Sequence, residues 1–175
     1  MFRLWIVLGA IGLIGVDQLT KLWAASALAD SAVTVIPGVF EFRLTYNTGA
    51  AWNMLDGQTL LLIVLPFLVT ILIAAVLLSG KFRYSCWVNI GGTMVVAGGI
   101  GNLIDRVIAG KVTDFLYFKL IDFPIFNVAD CCVVIGAIMI LIFVLFFYED
   151  TKKEKGDKSN AVDVELPAGA SGDEN

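Results

Sequence analysis

Histidine is absent from all 175 residues. That removes a Ser–His triad, a Cys–His nucleophile pair and a histidine-ligated zinc site at once. Charge is scarce too, at 16% of residues, where a soluble domain carries about a quarter. Apolar residues make up 58% and the mean hydropathy is +0.85, so the chain is of membrane class. Cysteine is limited to Cys86, Cys131 and Cys132, with no C-x-x-C. The adjacent pair points to different faces of a helix, so all three are expected as small apolar residues facing lipid, without a disulfide. The net charge of −4 owes much to the C-terminal tail, and no nucleic-acid partner is expected.

What remains is long apolar runs. Four of them, approximately 4–27, 59–79, 86–105 and 126–148, reach the roughly 20 helical residues that span a bilayer. The first also reads as a secretory signal: Arg3, an apolar stretch from Leu4 to Val16, then "ASALADSA". Three further spans, and the charged Asp17 and Lys21 ahead of that patch, favour a retained helix. Arg3, Lys81, Arg83 and the lysines after the fourth span fall on one side of a four-helix zigzag, which puts both termini in the cytoplasm. Residues 28–58 and 106–125 then face outward; Arg106, Lys111 and Lys119 weaken the bias there, each with an acid nearby in sequence. In 28–58, "FEFRLTY" alternates apolar and polar beside a Pro-Gly turn, which predicts short strands. The tail from Thr151 has no periodicity and is expected to be disordered. The expectation is an all-α membrane protein with four transmembrane helices over 1–150, a small extracytoplasmic β element between helices 1 and 2, and a cytoplasmic tail over 151–175.

Against this background Asp17, Lys21, Asn102, Asp105, Arg106, Asn127 and Asp130 stand out, because an ionised group at membrane depth costs about 2.5–3.5 kcal/mol even on lenient scales. Asp17 and Lys21 are four apart, as are Asn102 and Arg106, while Asn127 and Asp130 are three apart, so each helix carries one polar stripe. In the zigzag all three stripes lie at the outer ends of their helices, and the loop "GKVTDFLYF" can return Asp114 to the same level. Gly91 and Gly92 suit close helix packing; Gly98, Gly99 and Gly101, beside Asn102, suit packing or backbone access to a site. Asp105 is expected to pair with Arg106 and Asp122 to be a surface loop residue. Asp17 with Lys21 either supports the fold or positions a substrate.

Without histidine, hydrolysis can run on two carboxylates that share a proton, one taking a proton from water while the other protonates the carbonyl oxygen. Asp130, fixed by its helix, and Asp114 are the candidates. A proton relay through Asp17, Asp105 and Asp130 competes with this reading, but a relay needs ionisable groups through the whole membrane depth. A scaffold packed on the glycine-rich helix leaves the acids unexplained, and Lys21 with Ser26 faces poorly for a Ser–Lys pair.

The stretches "DQLTK", "YNTGAAW", "GGIGNLIDR", "VTDF" and "FNVAD" follow one another in an order that resembles the lipoprotein signal peptidase (signal peptidase II) family over residues 1–148. The resemblance implies a four-helix aspartic peptidase of the bacterial inner membrane that cleaves prolipoproteins before their diacylglyceryl-modified cysteine. By motif, Asp114 and Asp130 would be the catalytic pair. Asn47, Gly49, Asn102, Arg106, Asn127 and Ala129 would shape the site or hold substrate, and Asp17, Lys21 and Asp105 would support it. It also implies a site near the extracytoplasmic face, no metal or other cofactor, contact with membrane lipids, and inhibition by globomycin-type peptide antibiotics. A monomer is expected. Trp52 and Thr113 depart mildly from the family pattern, as does the acidic tail.

Overall fold

The computed structural model describes residues 1–49, 54–55, 57–82 and 85–148. Trp52, the expected boundary near residue 150 and the tail beyond it lie outside the described residues. The chain divides into two units, 1–140 and 141–175, and everything that positions the site belongs to the first. Its described elements are α1 (Phe2–Ala27), β1 (Val33–Ile36), β2 (Phe40–Asn47), α2 (Thr59–Ser79), α3 (Cys86–Ala109), β3 (Val112–Phe118) and α4 (Val128–Phe146), with a 3-10 turn at Lys119–Ile121. Among the described residues, four helices are long and apolar enough to cross a membrane, matching the four expected spans to within a few residues at each end.

Glycine decides how the helices meet. A Cβ on Gly91 would lie 2.7 Å from the carbonyl oxygen of Gly136, and one on Gly136 would collide with the carbonyl of Gly91. The backbones of α3 and α4 therefore touch there, an approach that only small residues allow. Gly92 receives Leu77 of α2 in the same way. α3 starts at Ser85, whose Oγ accepts the Val88 N–H at 3.3 Å, and stops at Gly110, whose φ of 70° ends the helical hydrogen-bond ladder.

The sheet has the order β1-β2-β3, antiparallel throughout. β1 and β2 join through Ile36-Pro37-Gly38-Val39, closed by Val39 N–H to Ile36 O at 3.0 Å with Gly38 at φ 73°, where a Pro-Gly turn was expected. The third strand was not expected. "VTDFLYF" lies in the stretch expected to form a loop. Its β-branched and aromatic residues pair instead with the equally aromatic β2. The sheet thus draws on the α1–α2 and α3–α4 connections, not only on the one between helices 1 and 2. It seats on the end of α1, where Ala24, Leu28 and Phe115 pack with Phe42, Leu44, Leu116 and Val128, and Trp23 lies edge-on to Phe42 at 5.4 Å.

Candidate active site

The polar stripes meet where the last turns of α1 and α3, the start of α4 and the strand β3 come together. α4 opens with a capping box: Asn127 Oδ1 accepts the Asp130 N–H at 3.0 Å, and Asp130 Oδ2 accepts the Asn127 N–H at 3.1 Å. Asp17 reaches across from α1 and accepts the Ala129 N–H at 2.9 Å, satisfying a third free donor with a negative charge at the positive end of the helix. This close docking of α4 depends on Gly98 and Gly101. A Cβ on the first would meet the Ala129 carbonyl, and one on the second would sit 2.5 Å from Asp17 Oδ2.

Lys21 lies one turn beyond Asp17 and is 4% exposed. Its Nζ is 2.9 Å from Asp17 Oδ2, 3.2 Å from Asp105 Oδ2 and 2.9 Å from Asn102 Oδ1. Asp105 accepts in addition from the Thr113 N–H at 3.0 Å and from Gln18 Nε2 at 3.1 Å. The expected Asp105–Arg106 pair does not form. Neighbours on a helix point about 100° apart, so Asp105 turns inward to Lys21 while the Arg106 guanidinium donates to Gly49 O at 3.0 Å. Gln18 was missed: a glutamine between Asp17 and Leu19 gives no signal until its amide is found bridging Asp17, Asp105 and the Gly101 carbonyl.

Three asparagines carry this order to two carboxylates. Asn102 Oδ1 accepts from Lys21 and from Asn127 Nδ2 (3.0 Å), so its Nδ2 must turn outward, and it donates to Asp130 Oδ1 at 2.8 Å. Asn127 Oδ1 is held by the cap, leaving its Nδ2 to donate to Asp114 Oδ1 at 2.6 Å. Asn47 Oδ1 accepts the Gly49 N–H at 2.9 Å, and its Nδ2 donates to Asp114 Oδ2 at 3.1 Å. The sheet sets that last contact. Register pairs Thr45 with Asp114, and a one-residue shift between Phe42 and Thr45 brings Asn47, rather than Tyr46, to the Asp114 side.

Asp114 and Asp130 both line one cavity of about 470 Å³. Asn47, Asn102 and Arg106 stand beside them, and Phe123, Pro124, Ile125, Phe126, Val134 and Ile135 complete an apolar wall. Burial pushes the Asp114 carboxyl up to about 7, with the Asp130 charge adding to the rise and the amides of Asn47 and Asn127 opposing it. Two carboxylates on one cavity, one of which holds its proton near neutrality, can give and take a proton in turn. Cys131, expected to face lipid, lines the same cavity. Ala129 is fully buried and supports the site from behind, through its backbone. Asp122 ends the 3-10 turn at φ 48° and accepts from the Tyr117 hydroxyl at 2.6 Å. Among the described residues no group of three or more Asp, Glu and Cys is placed to hold a metal ion.

A family model described as signal peptidase (SPase) II matches residues 9–146. The lipoprotein signal peptidase of Enterococcus faecalis is 36% identical over 158 residues, covering 89% of this chain and 98% of that protein. That of Deinococcus radiodurans is 39% identical, covering 82% and 79%. A solved structure described as a bacterial membrane enzyme superposes with a TM-score of 0.69 at 34% identity, over 85% of this chain and 90% of the other. The family match spans most of the chain, as do relatives more than 30% identical to it, and the chain belongs to the signal peptidase II family.

Proposed function

We propose that this multi-pass membrane peptidase removes the signal peptide from prolipoproteins as an aspartic endopeptidase, with Asp114 and Asp130 as its catalytic pair. The observation that carries the reading is that two carboxylates from separate elements, β3 and α4, line one cavity and are tied to the same asparagine, Asn127. Of the pair, the ionised carboxylate takes a proton from a water as its oxygen bonds to the scissile carbonyl carbon. The protonated partner gives its proton to the carbonyl oxygen. Collapse of the tetrahedral intermediate breaks the C–N bond and passes a proton to the leaving amine. The pair titrates as a unit, so its pH limits belong to both residues together.

The apolar wall suits an apolar segment entering from lipid, and cleavage falls just before the diacylglyceryl-modified cysteine, whose acyl chains stay in the membrane. The lysine and arginine bias of the loops supports cytoplasmic termini, and in that orientation the cavity lies near the extracytoplasmic face. One chain holds all of the site residues, so a monomer suffices. A globomycin-type peptide antibiotic competes for the same cavity.

The test is cleavage of a lipidated preprolipoprotein by the purified chain. Asp114→Asn and Asp130→Asn each lower kcat by at least about a thousandfold, the scale on which removing one member of a catalytic unit acts. Near-normal cleavage by either variant would rule out the pair.

A further inference from the structure

Outside the catalytic tier the described residues hold a second buried carboxylate cluster, on the sheet. Glu41 is 4% exposed. Its Oε1 is 2.6 Å from Lys119 Nζ and its Oε2 2.9 Å from Arg43 Nη2. Strand geometry assembles the group: Glu41 and Arg43 are two apart on β2, Tyr117 is paired opposite Glu41, and Lys119 is two beyond Tyr117. The Arg43 guanidinium lies 4.7 Å over the Tyr117 ring, and the Tyr117 hydroxyl donates to Asp122 at 2.6 Å. The contacts therefore run Lys119–Glu41–Arg43–Tyr117–Asp122 and close on both ends of the same 3-10 turn. Lys119, with Arg43, holds the Glu41 carboxyl below its usual range despite its burial.

That turn begins the segment that walls the cavity. Asp122, a non-glycine residue at φ 48°, turns the chain so that the Phe123 N–H reaches Phe118 O at 3.1 Å. Phe126 then pairs with Leu116, with its N–H to Leu116 O at 3.0 Å, and stacks on Phe118 at 5.8 Å. Phe123, Pro124, Ile125 and Phe126 all face the cavity. Nothing in the cluster touches Asp114 or Asp130.

We propose that Glu41 is a positioning residue for substrate capture: through Lys119 and Arg43 it clasps the 3-10 turn and so sets where the apolar wall stands relative to the carboxylate pair. The inference rests on the cavity's being the substrate site, as proposed above. A clasp on the wall acts on binding while the chemical pair keeps its geometry, so its loss reads out as KM and not as kcat.

The experiment is steady-state cleavage of a lipidated preprolipoprotein by the purified full chain carrying Glu41→Ala, Glu41→Gln, Lys119→Met, or Glu41→Ala with Lys119→Met, beside Asp114→Asn. Glu41→Ala is expected to raise KM about tenfold with kcat within about twofold, the pattern of binding lost equally from ground and transition states. Glu41→Gln, which keeps the shape, guards against a folding failure of the alanine variant and moves KM less. The double variant is no worse than Glu41→Ala alone, because both residues act through one clasp. An unchanged KM, a fall in kcat at constant KM, or independent, multiplying effects of Glu41 and Lys119 would each overturn the clasp. Active Asp114→Asn would instead overturn the assignment of the site, which keeps the two failures apart.

Discussion

Among the described residues, carboxylates are buried against cations in two places, and the two differ. Between the helices, Asp17 and Asp105 share Lys21, and the three side chains are 2%, 10% and 4% exposed. On the sheet, Glu41 is as deeply buried, but its partners Lys119 and Arg43 are 46% and 45% exposed. In the first cluster every charge has left water, so attraction must offset a large desolvation cost and each remaining lone pair needs a donor. Gln18 and the N–H groups of Ala129 and Thr113 supply them. In the second, the cations stay about half in water. The helix cluster fixes amide orientation beside Asp114 and Asp130; the sheet cluster fixes the position of a wall.

The difference is broken most directly at the two lysines. Lys21→Met leaves Asp17 and Asp105 buried without their counter-charge and frees Asn102 to rotate away from Asp130. A loss of about 3–5 kcal/mol is expected, as for other buried pairs deprived of one partner. Thermal unfolding in detergent, followed by tryptophan fluorescence, measures it. Adding Asp17→Asn should recover part of the loss by removing one of the stranded charges. A Lys21→Met protein that melts with the wild type would mean that water reaches this tier after all.

Asp114 sharpens the contrast, because it is buried and no cation among the described residues forms an ion pair with it. Its folded value of about 7 exceeds the usual 3.8. As pH rises from about 4, the unfolded chain gives up its proton while the folded chain keeps it, so the unfolded state binds fewer protons and stability falls until about pH 7, then levels. At about 1.4 kcal/mol per unit, the full effect amounts to a few kcal/mol. Asp114→Asn, which cannot ionise, is expected to melt above the wild type at pH 8, less the effect of one lost amide hydrogen bond. The gap should close as the pH is lowered toward 4. A gap constant over that range would show that the carboxyl titrates normally.

These clusters also show how far the chain could be read in advance. Spacing alone put Asp17 with Lys21, Asn102 with Arg106 and Asn127 with Asp130, since helix geometry turns a separation of three or four into a shared face. The zigzag of spans then put the pairs at one level. Asp105 failed because chain neighbours on a helix diverge, and its partner comes from α1. Of the partners of Glu41, Lys119 is 78 residues away, brought near by β2–β3 pairing that no local pattern announces. Amide orientation was equally hidden. That Asn127 must present its nitrogen to Asp114 follows only once Asp130's N–H is seen to occupy its oxygen.

Asn127 joins the helix tier to the sheet, so a smaller change there tests which of its two duties matters more. Serine can still cap α4 but has no amide to reach Asp114. Asn127→Ser is therefore expected to keep most of the helix stability, losing about 1 kcal/mol or less, because serine and asparagine cap comparably well. Cleavage should nonetheless fall by at least about tenfold, as Asp114 loses a donor and the two carboxylates lose the side chain that spans them. Lys119→Met marks the lower end of the scale, with Tm moved by about 2 °C at most, since Arg43 still faces Glu41 and the lost lysine was half in water. If Lys119→Met proved as damaging to folding as Lys21→Met, partner exposure would not be what separates the two clusters.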